Sequence, residues 1–239
     1  MRKTKIVCTI GPASQSEETV IGLCRAGMNV ARLNFSHNTH EDHQKRIDTI
    51  KKVRDELELP IAIMLDTKGP EYRIKTFEDG KITLDEGDTF TFTTEEVVGN
   101  REMVSVSYAN LPAELAVGDT ILLNNGLLAF EVTAIEGNHI VTTVTDGGEL
   151  SDRKSMCFPG KVLKQIYLSQ QDKADIAFGV QNGVDFIACS FVSDKQDLID
   201  IHNYLEEIGA KGIELIAKIE NQSGVDNIEE ICQHCDGIM

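Results

Sequence analysis

The sequence predicts an α/β protein: a (β/α)8-type parallel barrel, incomplete toward its C-terminus, interrupted by an inserted all-β, barrel-like lid domain. Three observations lead there. Residues 1–68 and 167–239 alternate short apolar runs with helix-period segments, while residues 69–166 carry strand-period runs punctuated by glycines. The first rhythm returns after the second, which marks an insertion. The outer segments together supply six βα-type strands, and parallel βα repeats close at eight.

The first strand is Ile6 to Ile10. Ser14-Gln15-Ser16-Glu17 reads as a capping box for a helix carrying Val20, Leu23 and Cys24, with Gly27 as its stop. Asn29 to Asn34 is the second strand, and Thr39 caps a helix with Ile47, Ile50 and Leu57 on one face. Ile61 to Leu65 is continuously apolar, as a strand buried on both faces of a parallel sheet must be. Within the insert, Thr89 to Thr93 and Val104 to Ser107 alternate, and Asn125-Gly126 between Ile121–Leu123 and Leu127-Leu128 signals a hairpin. Beyond residue 167 come a helix ending near Gly183, a strand Asp185 to Ser190, and a helix with Leu198, Ile201, Leu205 and Ile208. A strand Glu214 to Ile219 follows, then a helix through Ile228 and Ile231, and Asp236 to Met239 opens a further strand. This is the rhythm of a TIM barrel.

Composition removes several function classes. Lys plus Arg is 23 against 39 Asp plus Glu, a formal net charge of −16, so a polyanion such as nucleic acid is repelled. A small anionic substrate remains compatible, because a few cations converging in a cleft outweigh a distant negative field. The N-terminal apolar run is too short for a signal-peptide core, and no run approaches the ~20 apolar residues of a membrane span, so a cytoplasmic location without membrane contact is expected. The six cysteines, mostly in apolar runs, read as buried thiols.

Active sites of parallel barrels lie at the carboxyl ends of the strands. The second strand ends in Arg32-Leu33-Asn34-Phe35-Ser36-His37, the third in Asp66-Thr67-Lys68-Gly69-Pro70-Glu71 followed by Arg73, and a later one in Lys218-Ile219-Glu220-Asn221. Arginine forks phosphate oxygens, lysine supplies a point charge, and carboxylates with carbonyl-type oxygens hold hard cations. Together they suit a phosphorylated anion held with a metal. Surface ion pairs at strand ends are the plainer alternative for any one of these residues, less so for three strand ends at once.

These stretches, with Thr4-Lys5-Ile6-Val7-Cys8-Thr9-Ile10-Gly11-Pro12 and Ala26-Gly27-Met28-Asn29-Val30, resemble the pyruvate kinase family along the whole chain. The resemblance implies a TIM barrel interrupted after its third strand by a β-rich lid. It implies phosphoryl transfer from phosphoenolpyruvate to ADP, giving pyruvate and ATP in glycolysis, and a homotetramer when full length. By the same resemblance Arg32 holds the substrate phosphate, and Lys218 binds substrate and stabilises the phosphoryl group in flight. Asn34, Ser36, Asp66 and Thr67 form the K+ site, and Glu220 is one of two carboxylates for Mg2+ (or Mn2+). Asn34, His37, Arg73 and Lys154 contact the nucleotide, ADP or ATP. The sequence departs from the family at Asn38, where glycine is usual, at Tyr72, where isoleucine is usual, and at Asn124-Asn125-Gly126, which replaces a pair of aspartates. The family continues past Met239 into a segment bearing the second metal carboxylate, so the 239-residue chain is expected to have little activity by itself. Two other readings compete: a truncated, non-catalytic fragment that keeps anion and nucleotide binding, and a metal-dependent enolpyruvate-type lyase. The β insert and the Asp66 to Glu71 run disfavour the lyase.

Weaker motifs remain. His37, His40 and His43 with Glu41 and Asp42 lack metal-site spacing and read as a solvated helix end. Cys232-Gln233-His234-Cys235 is one CxxC without a second pair.

Overall fold

The computed structural model describes residues 3–161, 163–164 and 166–239. The chain divides into two compact units, Met1–Pro70 with Ile166–Met239, and Glu71–Gln165.

In chain order the first unit begins with β1 (Val7–Thr9), α1 (Glu17–Ala26), β2 (Val30–Asn34), α2 (His40–Glu56) and β3 (Ala62–Asp66). The second unit follows, with β4 (Lys81–Leu84), β5 (Thr89–Thr93), β6 (Met103–Ser105), α3 (Leu111–Glu114), β7 (Thr120–Leu123), β8 (Leu128–Glu136), β9 (His139–Asp146), β10 (Gly148–Ser151) and β11 (Met156–Cys157). The first unit resumes with α4 (Gln170–Gln181), β12 (Phe186–Cys189), α5 (Lys195–Glu207), β13 (Glu214–Ala217), α6 (Gln222–Asp226), α7 (Ile228–Ile231) and β14 (Gly237–Ile238).

The first unit is one sheet in the order β1-β2-β3-β12-β13-β14, every pair parallel, with helices between successive strands. That is the sequential order of an incomplete (β/α)8 barrel. Its main core lies between sheet and helices: Leu33, Ile63, Leu65, Ile187 and Leu215 meet Val20, Ile47, Ile50, Ile176, Leu198 and Ile201. Each such side chain, fully removed from water, contributes about 1.5–3 kcal/mol. A smaller cluster, Val30, Met64 and Ala188, occupies the other face.

Helix starts are chemically specified. Thr39 and Asp42 form a reciprocal capping box on α2, and Asp194 and Asp197 do the same on α5. Each such cap stabilises by about 1 kcal/mol. The box expected at Ser14 does not form. Ser16 caps α1 by accepting from Thr19 N at 3.3 Å, while Ser14 Oγ accepts from Gly11 N at 3.0 Å and ties down the preceding turn. The single helix expected through Ile228 and Ile231 is two short ones, broken at Asn227, whose side-chain amide donates to Ser193 O at 2.9 Å. Among the described residues no helix is long and apolar enough to cross a membrane.

Among its described residues the second unit is all-β apart from the four-residue α3. It comprises a six-stranded sheet, β11-β7-β8-β9-β5-β6, and the pair β10-β4. Phe90, Phe92 and Phe130 centre its core with ring centroids 5.1–5.9 Å apart. The β7–β8 hairpin pairs Leu123 with Leu128, so its loop is four residues long rather than two. Asn124, Asn125 and Gly126 all take positive φ there (52°, 59° and 81°), and Leu127 belongs to the loop and is exposed.

Candidate active site

Side chains two apart on a strand share a face. In β2, Ala31 and Leu33 enter the helix-side core, which leaves Val30, Arg32 and Asn34 on the opposite face. The same alternation in β3 puts Ala62, Met64 and Asp66 there. Beyond the ends of β12 and β13 it puts Ser190 in line with Phe186 and Ala188, and Lys218 and Glu220 in line with Ile216. The floor of this face is apolar, and the polar residues come one step later, at the carboxyl ends. Register stacks them in successive steps: Thr9 pairs with Arg32, Asn34 pairs with Asp66 one inward-facing position further on, and Asp66 pairs with Ala188.

Asp66 is the hub. Its side chain is 1% exposed and sits between two cations. Arg32 Nε donates to Oδ2 at 2.6 Å, with Nη2 also paired to that oxygen, and Lys218 Nζ donates to Oδ1 at 3.0 Å. Arg32 Nη1 donates further to Thr9 Oγ1 at 2.7 Å. Lys218 Nζ also donates to Ser190 Oγ at 2.8 Å and lies 3.4 Å from Glu220 Oε2. Glu220, with its side chain 34% exposed, accepts from Phe191 N at 3.0 Å. Phe191 adopts φ 57°, a left-handed conformation that costs a bulky residue roughly 1–2 kcal/mol and aims its N–H at the carboxylate. Asn221 holds that backbone by donating to Phe191 O at 3.2 Å and to Ser193 Oγ at 3.1 Å.

Two cations and two carboxylates therefore meet on one rim, and their formal charges cancel. A phosphate arriving there brings uncompensated charge, so the arrangement suits an anion accompanied by hard cations. The donor sets fit such cations. Asn34, Ser36, Asp66 and Thr67 offer oxygen ligands at the adjoining ends of β2 and β3, where Asn34 pairs with Asp66 and Ser36 N donates to Asn34 Oδ1 at 2.9 Å. Glu220 offers a partly exposed carboxylate, a donor suited to Mg2+ or Mn2+. Among the described residues no group of three or more His, Cys, Asp or Glu side chains converges as a self-sufficient metal site.

His37 follows this rim, and its carbonyl accepts from His43 Nε2 at 2.9 Å. Arg73 and Lys154 belong to the second unit, where Ile74 N donates to Lys154 O at 3.0 Å. The Arg73 guanidinium is engaged by Glu71 and by Arg153 O.

Thr9, Ser190 and the Phe191 N–H are contacts that the sequence reading did not include. The signal for Thr9 and Ser190 was available: each ends a strand in phase with its inward-facing residues. Two weaker expectations need correction. His43 is not part of a solvated helix end, being 1% exposed and stacked on Phe35 at 4.0 Å, while His37 and Glu41 are exposed and the partly exposed His40 bonds Asp175 at 2.5 Å. Burial holds the His43 imidazolium below the usual histidine range, so the ring stays neutral and donates through Nε2. Nor are all the cysteines buried. Cys24 and Cys189 are, whereas Cys157 and Cys232 are exposed.

Comparison with known proteins gives the same direction. The family model for the pyruvate kinase barrel domain matches residues 1–239. Pyruvate kinase of Geobacillus stearothermophilus is 47% identical over 240 residues, and that of Bacillus licheniformis 48% over 241. Each alignment covers all of this chain and 41% of the relative, so the chain spans about two fifths of these relatives' length. The crystal structure of a pyruvate kinase from Cryptosporidium parvum superposes with a TM-score of 0.91 at 39% identity, covering the whole of this chain and 50% of that one. The chain belongs to the pyruvate kinase family, of whose barrel domain it carries the N-terminal portion.

Proposed function

We propose that this chain supplies part of the active site of an enzyme transferring a phosphoryl group from phosphoenolpyruvate to ADP. The observation that carries the reading is the meeting of Arg32, Asp66, Lys218 and Glu220 at the carboxyl ends of the strands. Arg32 has a guanidinium edge on the rim and binds the substrate phosphate. Asp66 orients both cations by accepting from each. Lys218 adds positive charge where negative charge grows as the phosphoryl group departs. Glu220 would hold Mg2+ or Mn2+, and Asn34, Ser36, Asp66 and Thr67 would hold K+. Bound there, these ions neutralise the phosphoryl and nucleotide charge that the balanced side chains leave uncompensated. His37, Arg73 and Lys154 are the residues proposed to contact nucleotide phosphates.

The non-catalytic reading applies to residues 1–239 expressed alone. Glu220 is a single carboxylate, and the outer strands carry the exposed apolar residues Ile6, Val7, Ile238 and Met239. Such edges favour association. The test is pyruvate formation from phosphoenolpyruvate and ADP by the full-length enzyme, with Mg2+ and K+ each omitted in turn. Turnover that needs both ions supports the proposal. Turnover indifferent to both removes the roles given to Glu220 and the oxygen cluster.

A further inference from the structure

We propose that Ser190 is a positioning residue for Lys218, and that Tyr167 holds Ser190 in place for that task. The inference rests on the role given to Lys218 above and extends it to residues outside the site as read from sequence.

Ser190 is 2% exposed and bonded through every polar atom it has. Its N–H donates to Thr67 Oγ1 at 3.1 Å, and its carbonyl accepts from Tyr167 OH at 2.9 Å. Its hydroxyl lies 2.6 Å from Thr67 O, 3.1 Å from Asp66 Oδ1 and 2.8 Å from Lys218 Nζ. A hydroxyl has one proton, and a carbonyl and a carboxylate can only accept it. Whichever of the two takes the proton, a lone pair is left facing the ammonium, which can only donate.

Lys218 has three N–H bonds on a flexible four-carbon stem, and nothing intrinsic to lysine fixes their direction. Asp66 Oδ1 and Ser190 Oγ take two of them. With two fixed, tetrahedral geometry fixes the third. With Asp66 alone, the ammonium turns freely about one bond. Glu220 Oε2 at 3.4 Å attracts the charge without setting an angle.

The support behind Ser190 is equally specific. Tyr167 is buried, and burial pushes its phenol well above the usual tyrosine range, so it remains a neutral donor. On the other side Gly69 packs so closely that a Cβ there would lie 2.7 Å from Ser190 O. Gly69 and Tyr167 each lie two residues from the second unit along the chain, and both abut the same carbonyl. A serine that merely satisfied buried partners would influence stability alone; a positioning serine influences the chemical step.

The experiment compares kcat and KM for phosphoenolpyruvate in the full-length enzyme and its Ser190→Ala, Ser190→Thr, Tyr167→Phe and Lys218→Met variants. Misaiming a catalytic group costs up to about 100-fold, so Ser190→Ala should lose about 10- to 100-fold in kcat with KM little changed. Ser190→Thr restores the hydroxyl and should recover most of that loss. Tyr167→Phe should lower kcat less, by about 3- to 10-fold, since the hydroxyl of Ser190 remains. A folded Ser190→Ala enzyme with the parent kcat, or one altered only in KM and thermal midpoint, overturns the inference. If Ser190→Ala does not fold, Tyr167→Phe decides, and an unchanged kcat overturns it. Lys218→Met separates the two levels: a harmless Lys218→Met defeats the underlying reading, whereas a damaging one beside a harmless Ser190→Ala defeats this inference alone.

Discussion

Replacing Lys218 with methionine in the full-length enzyme keeps an apolar stem out to the ε position and removes the charged nitrogen. The Lys218 side chain is 13% exposed and is held by Asp66 and Ser190 at 3.0 and 2.8 Å, so water cannot readily substitute for it. A unit charge about 4 Å from a developing negative charge is worth about 4 kcal/mol at an effective dielectric constant of about 20. At about 1.4 kcal/mol per tenfold, that is close to a thousandfold in rate. Arg32 is untouched and, in its proposed role, would still hold the ground-state phosphate, so KM should change by only a few-fold. Asp66 keeps Arg32 as its partner, which protects the fold from an unpaired buried carboxylate. Steady-state pyruvate formation, coupled to lactate dehydrogenase, measures both constants. A kcat within tenfold of the parent, or an effect confined to KM, would refute the assignment of Lys218 to the chemical step.

Gly69→Ala should lower the thermal midpoint and reduce kcat together. Its φ of 66° disfavours a side chain by roughly 1–2 kcal/mol, and the new Cβ would press on Ser190 O at 2.7 Å. Burial pushes the Asp197 carboxyl up from 3.8 to about 6. Its folded form thus binds the proton more tightly than the unfolded chain does. Its stability contribution is present below pH 3.8 and lost as pH rises through about 6. Asp197→Asn should therefore raise the thermal midpoint above pH 7 and match the parent below pH 4, read by helix circular dichroism; equal midpoints at both pH values would contradict the burial argument. Residues 71–165 have their own aromatic core, so expressed alone they should unfold cooperatively as an all-β unit. Phe130→Ala, which empties a fully buried site, should cost that unit about 3–5 kcal/mol in urea unfolding.

The parallel sheet was legible because burial on two faces leaves a direct trace. Ile61 to Leu65 has no polar residue, and β3 lies within a residue of that span. Strand-end chemistry was legible where charge is dense, as at Arg32, Asp66, Lys218 and Glu220. Ser190 and Thr9 escaped because one hydroxyl at the end of a strand resembles any cap until its phase with Ala188 or Val7 is counted. His43 escaped for a related reason. It shares a helix face with Ile47 and Ile50 at helical spacing, and that apolar face outweighs the polarity of a ring that can stack on Phe35. Asn227 breaks the last helix through a side-chain bond to Ser193, a residue 34 positions away, and local spacing carries no trace of such a contact. Ser14 misled because two serines near one helix start both satisfy a capping pattern; the turn at Gly11 takes the first.

The central claim is that one rim of strand ends holds both the substrate phosphate and a hard divalent cation. Crystals of the full-length enzyme with phosphoenolpyruvate, K+ and Mn2+ test it most directly, through the anomalous scattering of manganese. The expected map has a manganese peak bonded to a Glu220 carboxylate oxygen, the phosphate against the Arg32 guanidinium, and the Lys218 ammonium directed at that phosphate. A manganese peak away from Glu220 with the phosphate bound elsewhere would contradict the account.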